Sequence, residues 1–522
     1  SNRRHFLGTS LAVVLAGPGM AVGAPAAPKR RIVRVREGLL EGTEADGVVS
    51  LKGVPFAAPP VGPLRFRPPQ PARAWKGTRE ASRFALAPVQ SDPPMGSALE
   101  WLGAERGEDC LYLNIWAPTA PGPHPVFVWI HGGGNEGGAA SQPPADGSSF
   151  ARNGIVCVTV GYRTGILGFL ELGELLGPEY RGSAANGLKD MVAALQWVRA
   201  NIAAVGGDPE RVTLGGESAG GKNVVSLLAC PAARGLFGAA IVQSGAETIH
   251  RPDAALAVAA LAGAAIREGG GAPHDLLTMT PAGILAVQTT LKQRYSRPFP
   301  FRAVVDGEFL PLGPIEAMRA GAAADVRLMI GTNRDESIAF ANLQMVGKPL
   351  AQAELTNMDV ADALPVFERY RAAYPALSPL QLRVRFLTAE EYWLSSMRIA
   401  FAHRASGNTS TYVYRFDLPA AAGPFAGWAA HATETPYMWN QRDMPTIVRF
   451  LGPADGPMRE VAAGMHARWS AFIAGGAPNG GDGPEWPAFE ENDAMLRIDR
   501  VSMPSGLDRA ELDLWPENLR GG

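Results

Sequence analysis

Apolar runs of four to six residues recur along the chain, and each ends in small or polar residues. Residues 125–130 lead into His131-Gly132-Gly133-Gly134, residues 239–242 into Gln243-Ser244-Gly245, and residues 326–330 into Gly331-Thr332-Asn333. Residues 155–160 form another such run, residues 212–214 a shorter one, and residues 411–416 a late one. Unbroken apolar runs of this length predict strands buried on both faces. Between them, Leu188, Val192, Leu195, Val198 and Ile202 recur at helical spacing. Strands alternating with helices predict an α/β fold with a mostly parallel central sheet and helices on both faces. Functional loops should then lie at the carboxyl ends of the strands. Residues 31–90 read as β-rich and Pro-rich. Residues near 246–325 and 340–405 are Ala-rich with helical patterning, which predicts helical insertions over the site rather than more sheet.

The run at 212–214 meets Gly215-Gly216-Glu217-Ser218-Ala219-Gly220-Gly221 and then a helical pattern. A serine at the apex of a strand-to-helix turn has a strained backbone and close neighbours, so small residues must flank it. The arrangement presents a hydroxyl at the rim of the sheet, with free N–H groups of a helix N-terminus behind it. Ser218 is therefore a candidate nucleophile, and it needs a base and an acid that orients the base. In α/β hydrolases these follow in the order serine, acid, histidine. Asp335 and Glu336 follow the run at 326–330, and the residues alone do not choose between them. Of the later histidines, His403 and His466 lie in helix-patterned segments, while His431 lies in a small-residue loop after the run at 411–416. Position favours His431. Gly133, Gly134 and Ala219 are the candidate main-chain donors to an oxyanion.

Composition narrows the picture. The chain has 522 residues, 46% apolar and 19% charged, with a formal net charge of −2 and no basic block. It is long enough for an ample core, and nucleic acid is not an expected partner. The three cysteines, Cys110, Cys157 and Cys230, argue against a disulfide framework and have no metal-site spacing. Arg3 and Arg4 precede an apolar stretch and Ala24-Pro25-Ala26. Residues 1–26 thus read as a twin-arginine-type export signal, too short and too interrupted to span a membrane. Residues 27–522 are then expected to form a single α/β-hydrolase domain, exported to the periplasm or secreted.

With these pieces assembled, the sequence resembles the type-B carboxylesterases, the family of cholinesterases and para-nitrobenzyl esterases, from about residue 32 onward. The stretches that carry the likeness are Leu51-Lys52-Gly53-Val54-Pro55-Phe56-Ala57, Pro63-Leu64-Arg65-Phe66, Glu108-Asp109-Cys110-Leu111-Tyr112-Leu113-Asn114-Ile115-Trp116, and Gly207-Asp208-Pro209 leading to Gly216-Glu217-Ser218-Ala219-Gly220. Gly331-Thr332-Asn333-Arg334-Asp335-Glu336 resembles the family's acid motif, which implies Glu336 as the acid. The resemblance implies hydrolysis of small carboxylic esters through an acyl-enzyme, with no cofactor and no metal. It also implies supporting roles for Glu217 and Ser244.

There are departures. Ala432 follows His431 and Ser337 follows Glu336 where the family usually has glycine. No cysteine stands in Ala87-Pro88-Val89-Gln90, so Cys110 is expected unpaired. Asn135-Glu136 follows the triple glycine, so both become candidate pocket residues, with a salt bridge as the alternative for Glu136. Trp101 stands roughly where cholinesterases carry a choline-binding tryptophan, though out of register, and core packing is its alternative role. Two rival functions remain: an inactive binding or adhesion protein on the same scaffold, and a hydrolase preferring amides or lactones.

Overall fold

A computed structural model describes residues 28–92, 105–490 and 492–520. The export-signal segment and Trp101 lie outside the described residues. The strand His124–Ile130 shows how the main sheet is built. Val126, Val128 and Ile130 join one buried cluster, while Phe127 and Trp129 join another. Successive side chains of a strand point to opposite faces, so an all-apolar run buries both. The helices Asn186–Asn201 and Ala219–Ala229 cover the first face, and Gly456–Ile473 covers the second.

From the centre outward the sheet runs Val156–Val160, His124–Ile130, Gly207–Glu217, Ala239–Gln243, Arg327–Asn333, Thr411–Phe416 and Ala494–Ile498, all neighbouring pairs parallel. Antiparallel strands extend both edges: Tyr112–Pro118, Val48–Pro55, Gly38–Ala45 and Lys29–Val35 on one side, Met503–Gly506 on the other. The register aligns the carboxyl ends of the middle strands. Ile130 pairs with Gly216, Glu217 with Gln243, and Gln243 with Gly331. The residues that follow each strand therefore emerge side by side at one rim.

Some element boundaries differ from the sequence pattern. The strand before Ser218 begins at Gly207, well ahead of its apolar part. The helix predicted by the spacing from Leu188 to Ile202 ends at Asn201 and tightens into a 3-10 turn, Ile202–Val205. The segments near 246–325 and 340–405 contain the helices Pro252–Glu268, Pro281–Arg294, Val360–Ala373, Pro379–Thr388 and Leu394–Ala405. The last two are joined by a π-helical turn, Ala389–Trp393.

Polar contacts tie distant stretches together. Arg65 and Glu108, from two of the motifs quoted above, form a buried pair with Arg65 Nε donating to Glu108 Oε2 at 2.7 Å. Arg163 and Asp190 form a bidentate pair at 2.8 and 2.6 Å, fixing the loop after Val156–Val160 to the helix Asn186–Asn201. All three cysteines are buried and free. Among the described residues, no helix is long and apolar enough to cross a membrane.

Candidate active site

Ser218 occupies the turn between Gly207–Glu217 and Ala219–Ala229 with φ 57° and ψ −125°. A non-glycine residue there stores roughly 1–3 kcal/mol of strain. The turn survives because its surroundings fix it: Ser218 N–H donates to Gln243 O at 3.0 Å, and Lys222 N–H to Ser218 O at 2.8 Å. A Cβ on Gly216 would lie 2.5 Å from Gly220 C, and one on Gly220 would lie 2.1 Å from Ile130 O. The glycines anticipated around the serine are thus required by the closeness of helix and strand.

The loop after His124–Ile130 lies against this turn. A Cβ on Gly132 would come within 2.8 Å of Glu217 Oε2 and 3.0 Å of Ser218 Cβ. Gly133 and Gly134 have φ of 111° and 67°, which glycine adopts readily. Among the described residues, the N–H groups of Gly133, Gly134 and Ala219 donate to no protein acceptor. They are free to receive a ligand oxygen.

Glu336 and His431 meet at the same rim. His431 Nδ1 is 2.6 Å from Glu336 Oε2. The other carboxylate oxygen, Oε1, accepts from Ser244 Oγ at 2.6 Å and from Asn333 N–H at 2.7 Å. Glu336 is fully buried, and these two donors fix the position of its carboxyl group. Asp335, the other acid left open by the sequence, turns away to Arg334 and to the N–H of Ala429. The other two histidines are buried in the core, away from the serine turn. His403 bonds Thr411 Oγ1 and Val326 O, and His466 bonds Met438 O.

The second imidazole nitrogen, His431 Nε2, lies 3.1 Å from Glu217 Oε1 without a hydrogen bond joining them. Burial opposes charge on His431, but the carboxylates of Glu217 and Glu336 outweigh it and hold the imidazole above its ordinary value, at about 9. Burial also pushes Glu217 up. The rings of Tyr392 and Phe340 pack on His431 at 5.0 and 5.1 Å between centroids.

Several participants carried no signal in the apolar pattern. Glu434 is fully buried and accepts from Asn333 Nδ2 at 2.6 Å and Gln243 Nε2 at 3.0 Å, while Trp469 Nε1 donates to Gln243. This network fixes the loop that carries His431, since Asn333 Nδ2 also bonds Ala430 O at 2.7 Å. Lys222 follows Ser218 by one helical turn, a spacing that could have marked it. Its ammonium donates to Glu391 at 2.7 Å. The π-helical turn supplies both Glu391 and Tyr392, in keeping with the frequent placement of such turns at functional sites.

The two residues after the triple glycine diverge. Asn135 is buried, lines the cavity beside Ser218, donates to Phe301 O at 3.1 Å and accepts from Asn223 at 2.8 Å. Glu136 pairs instead with Lys292, a partner supplied by a distant helix, and is not among the residues lining that cavity.

Comparison with known proteins bears on the family and the fold. A model of the carboxylesterase family matches residues 29–515. The chain is 34% identical to fumonisin B1 esterase of Sphingopyxis macrogoltabida, over 92% of this chain and 89% of that protein. It is 33% identical to para-nitrobenzyl esterase of Bacillus subtilis (strain 168), over 88% and 93% respectively. The fold matches the solved structure of a Geobacillus stearothermophilus carboxylesterase with a TM-score of 0.80 and 34% identity, covering 93% of this chain and 100% of that one.

Proposed function

Starting from the premise that the chain belongs to the carboxylesterase family, we propose that it hydrolyses carboxylic esters with Ser218 as nucleophile, His431 as general base and acid, and Glu336 as the acid that orients His431. The observation that carries the reading is the 2.6 Å contact between His431 Nδ1 and Glu336 Oε2 at the rim that also bears the strained Ser218 turn.

His431 Nε2 takes the proton of Ser218 as the hydroxyl oxygen attacks the ester carbonyl. Glu336 holds the Nδ1–H tautomer and stabilises the imidazolium. The N–H groups of Gly133, Gly134 and Ala219 receive the developing oxyanion, each worth roughly 3 kcal/mol of barrier lowering. His431 then protonates the departing alcohol, and water activated by the same imidazole releases the acid. Ser244 fixes Glu336 from behind, and Glu217 tunes His431. Stopped-flow measurement with an aryl ester and its matched anilide tests the reaction class. A burst of phenol close to the enzyme concentration is expected, with far slower anilide cleavage. An anilide cleaved as fast as the ester would move the assignment to an amidase.

The proton on His431 sets the pH dependence. The imidazole must be neutral to act as base, so kcat/KM rises as pH climbs through its pKa. Glu217 raises that pKa. In Glu217→Gln the negative charge is gone, so the acid limb of the pH profile should move to lower pH. A limb that stays in place would remove Glu217 from this role.

Two wider readings go with this function. The pair Arg3-Arg4 ahead of an apolar stretch supports export by a twin-arginine-type signal within residues 1–26. The helices near 246–325 and 340–405 are read as insertions of one hydrolase domain, residues 27–522, that wall the substrate's approach.

A further inference from the structure

Beside Ser218 lies a narrow cavity lined by Gly134, Ala219, Lys222, Thr248, Phe299 and Arg302. His431 is not among its lining residues. If His431 protonates the leaving alcohol, the alcohol half of the ester must lie against the imidazole. The acyl half then points the other way, into this cavity.

The chemistry of the lining is unusual for an apolar acyl group. Arg302 is only 6% exposed. Its Nε donates to Phe299 O at 2.8 Å and its Nη2 to Pro298 O at 2.9 Å, both neutral carbonyls. Among the described residues, no carboxylate pairs with it and Nη1 has no protein acceptor. The buried Thr248 hydroxyl also has no hydrogen-bond partner. Lys222 adds a second cation, but Glu391 already matches it. The hydrogen bonds of Arg302 all go to neutral carbonyls, and the carboxylates of Glu391 and Glu390 act on it only through space; an anion bound beside it would supply the direct partner it lacks.

We propose that this cavity is an anionic acyl subsite, in which Arg302 and Thr248 bind the terminal carboxylate of a short dicarboxylic acyl group esterified at its other end. The enzyme then favours monoesters of short dicarboxylic acids over neutral esters of equal length. The inference rests on the esterase reading of Ser218. It also gives Arg302 a purpose beyond pinning the backbone of Phe299, which has φ 55°.

The test compares kcat/KM for phenyl hydrogen succinate and for phenyl butyrate, which share a leaving group and differ at the acyl terminus. The wild type should favour the succinate by about tenfold or more, the scale of one charge-assisted hydrogen bond. In Arg302→Gln and in the near-isosteric Thr248→Val, the ratio should fall toward one. Because the ratio is taken within each variant, a reduced folded fraction cancels. Should Arg302→Gln fail to fold, the wild-type ratio and Thr248→Val decide the matter. A wild type that cleaves butyrate at least as well as succinate overturns the subsite and leaves the esterase reading standing. A preference that persists in both variants overturns the assignment to this cavity. Cleavage of neither ester overturns the esterase reading itself.

Discussion

Replacing Ser218 by alanine should lower kcat on an aryl ester by about 10⁵- to 10⁶-fold, the loss expected when the nucleophile of a serine–histidine–acid set is removed. The protein should remain folded. Ser218 is half-buried at a turn whose shape is fixed from outside the side chain, by the Gln243 carbonyl, the N–H of Lys222 and the tight glycine contacts. Alanine is no harder to hold at φ 57° than serine. Steady-state kinetics and a thermal melt on the same preparation separate the two effects. Near-normal activity in a folded variant would remove Ser218 from the mechanism.

Gly220→Ala should act in the opposite way, on stability first and on activity as a consequence. The new Cβ would lie 2.1 Å from Ile130 O and 2.8 Å from both Ile130 C and His131 O. All are backbone atoms of the central strand and the loop that leads to Gly133, so no side chain can swing aside. The helix Ala219–Ala229 must lift from the sheet, which separates Ala219 from Gly133 and Gly134 as it loosens the core. Overpacking of flexible side chains already costs up to about 3 kcal/mol, and a backbone clash should cost at least that. Denaturant unfolding checks it. A midpoint matching the wild type would show that helix and strand are less tightly joined than these distances state.

Much of this was legible in the sequence because it depends on local pattern. Runs buried on both faces need every position apolar, so the middle strands stood out. The functional residues follow those strands directly, so Ser218 and the pair Asp335-Glu336 stand out with them, while the role of Ser244 is implied only by the family likeness. The choice within that pair depends on which neighbour faces His431, a matter of side-chain direction that adjacency cannot decide. The family's acid motif implies Glu336, and it is the Glu336 carboxylate that lies 2.6 Å from His431 Nδ1. The strand Ala494–Ile498 escaped notice because it is short and carries Arg497. Partners far apart along the chain and outside any motif escaped altogether. The Glu136–Lys292 pair joins residues 156 positions apart, and the Gln243–Glu434 bond spans 191. Only the folded sheet brings such groups together, so neither the fate of Glu136 nor the support of the His431 loop could be derived from spacing.

In the proposed mechanism Ser218 Oγ is the atom that forms the covalent bond. The most direct measurement is to inactivate the enzyme with an aryl phosphonate and map the adduct by peptide mass spectrometry. A single phosphonyl group on the peptide that carries Ser218, accumulating in step with lost activity, is the result expected. Inactivation with the adduct on another side chain, and Ser218 unmodified, would contradict it.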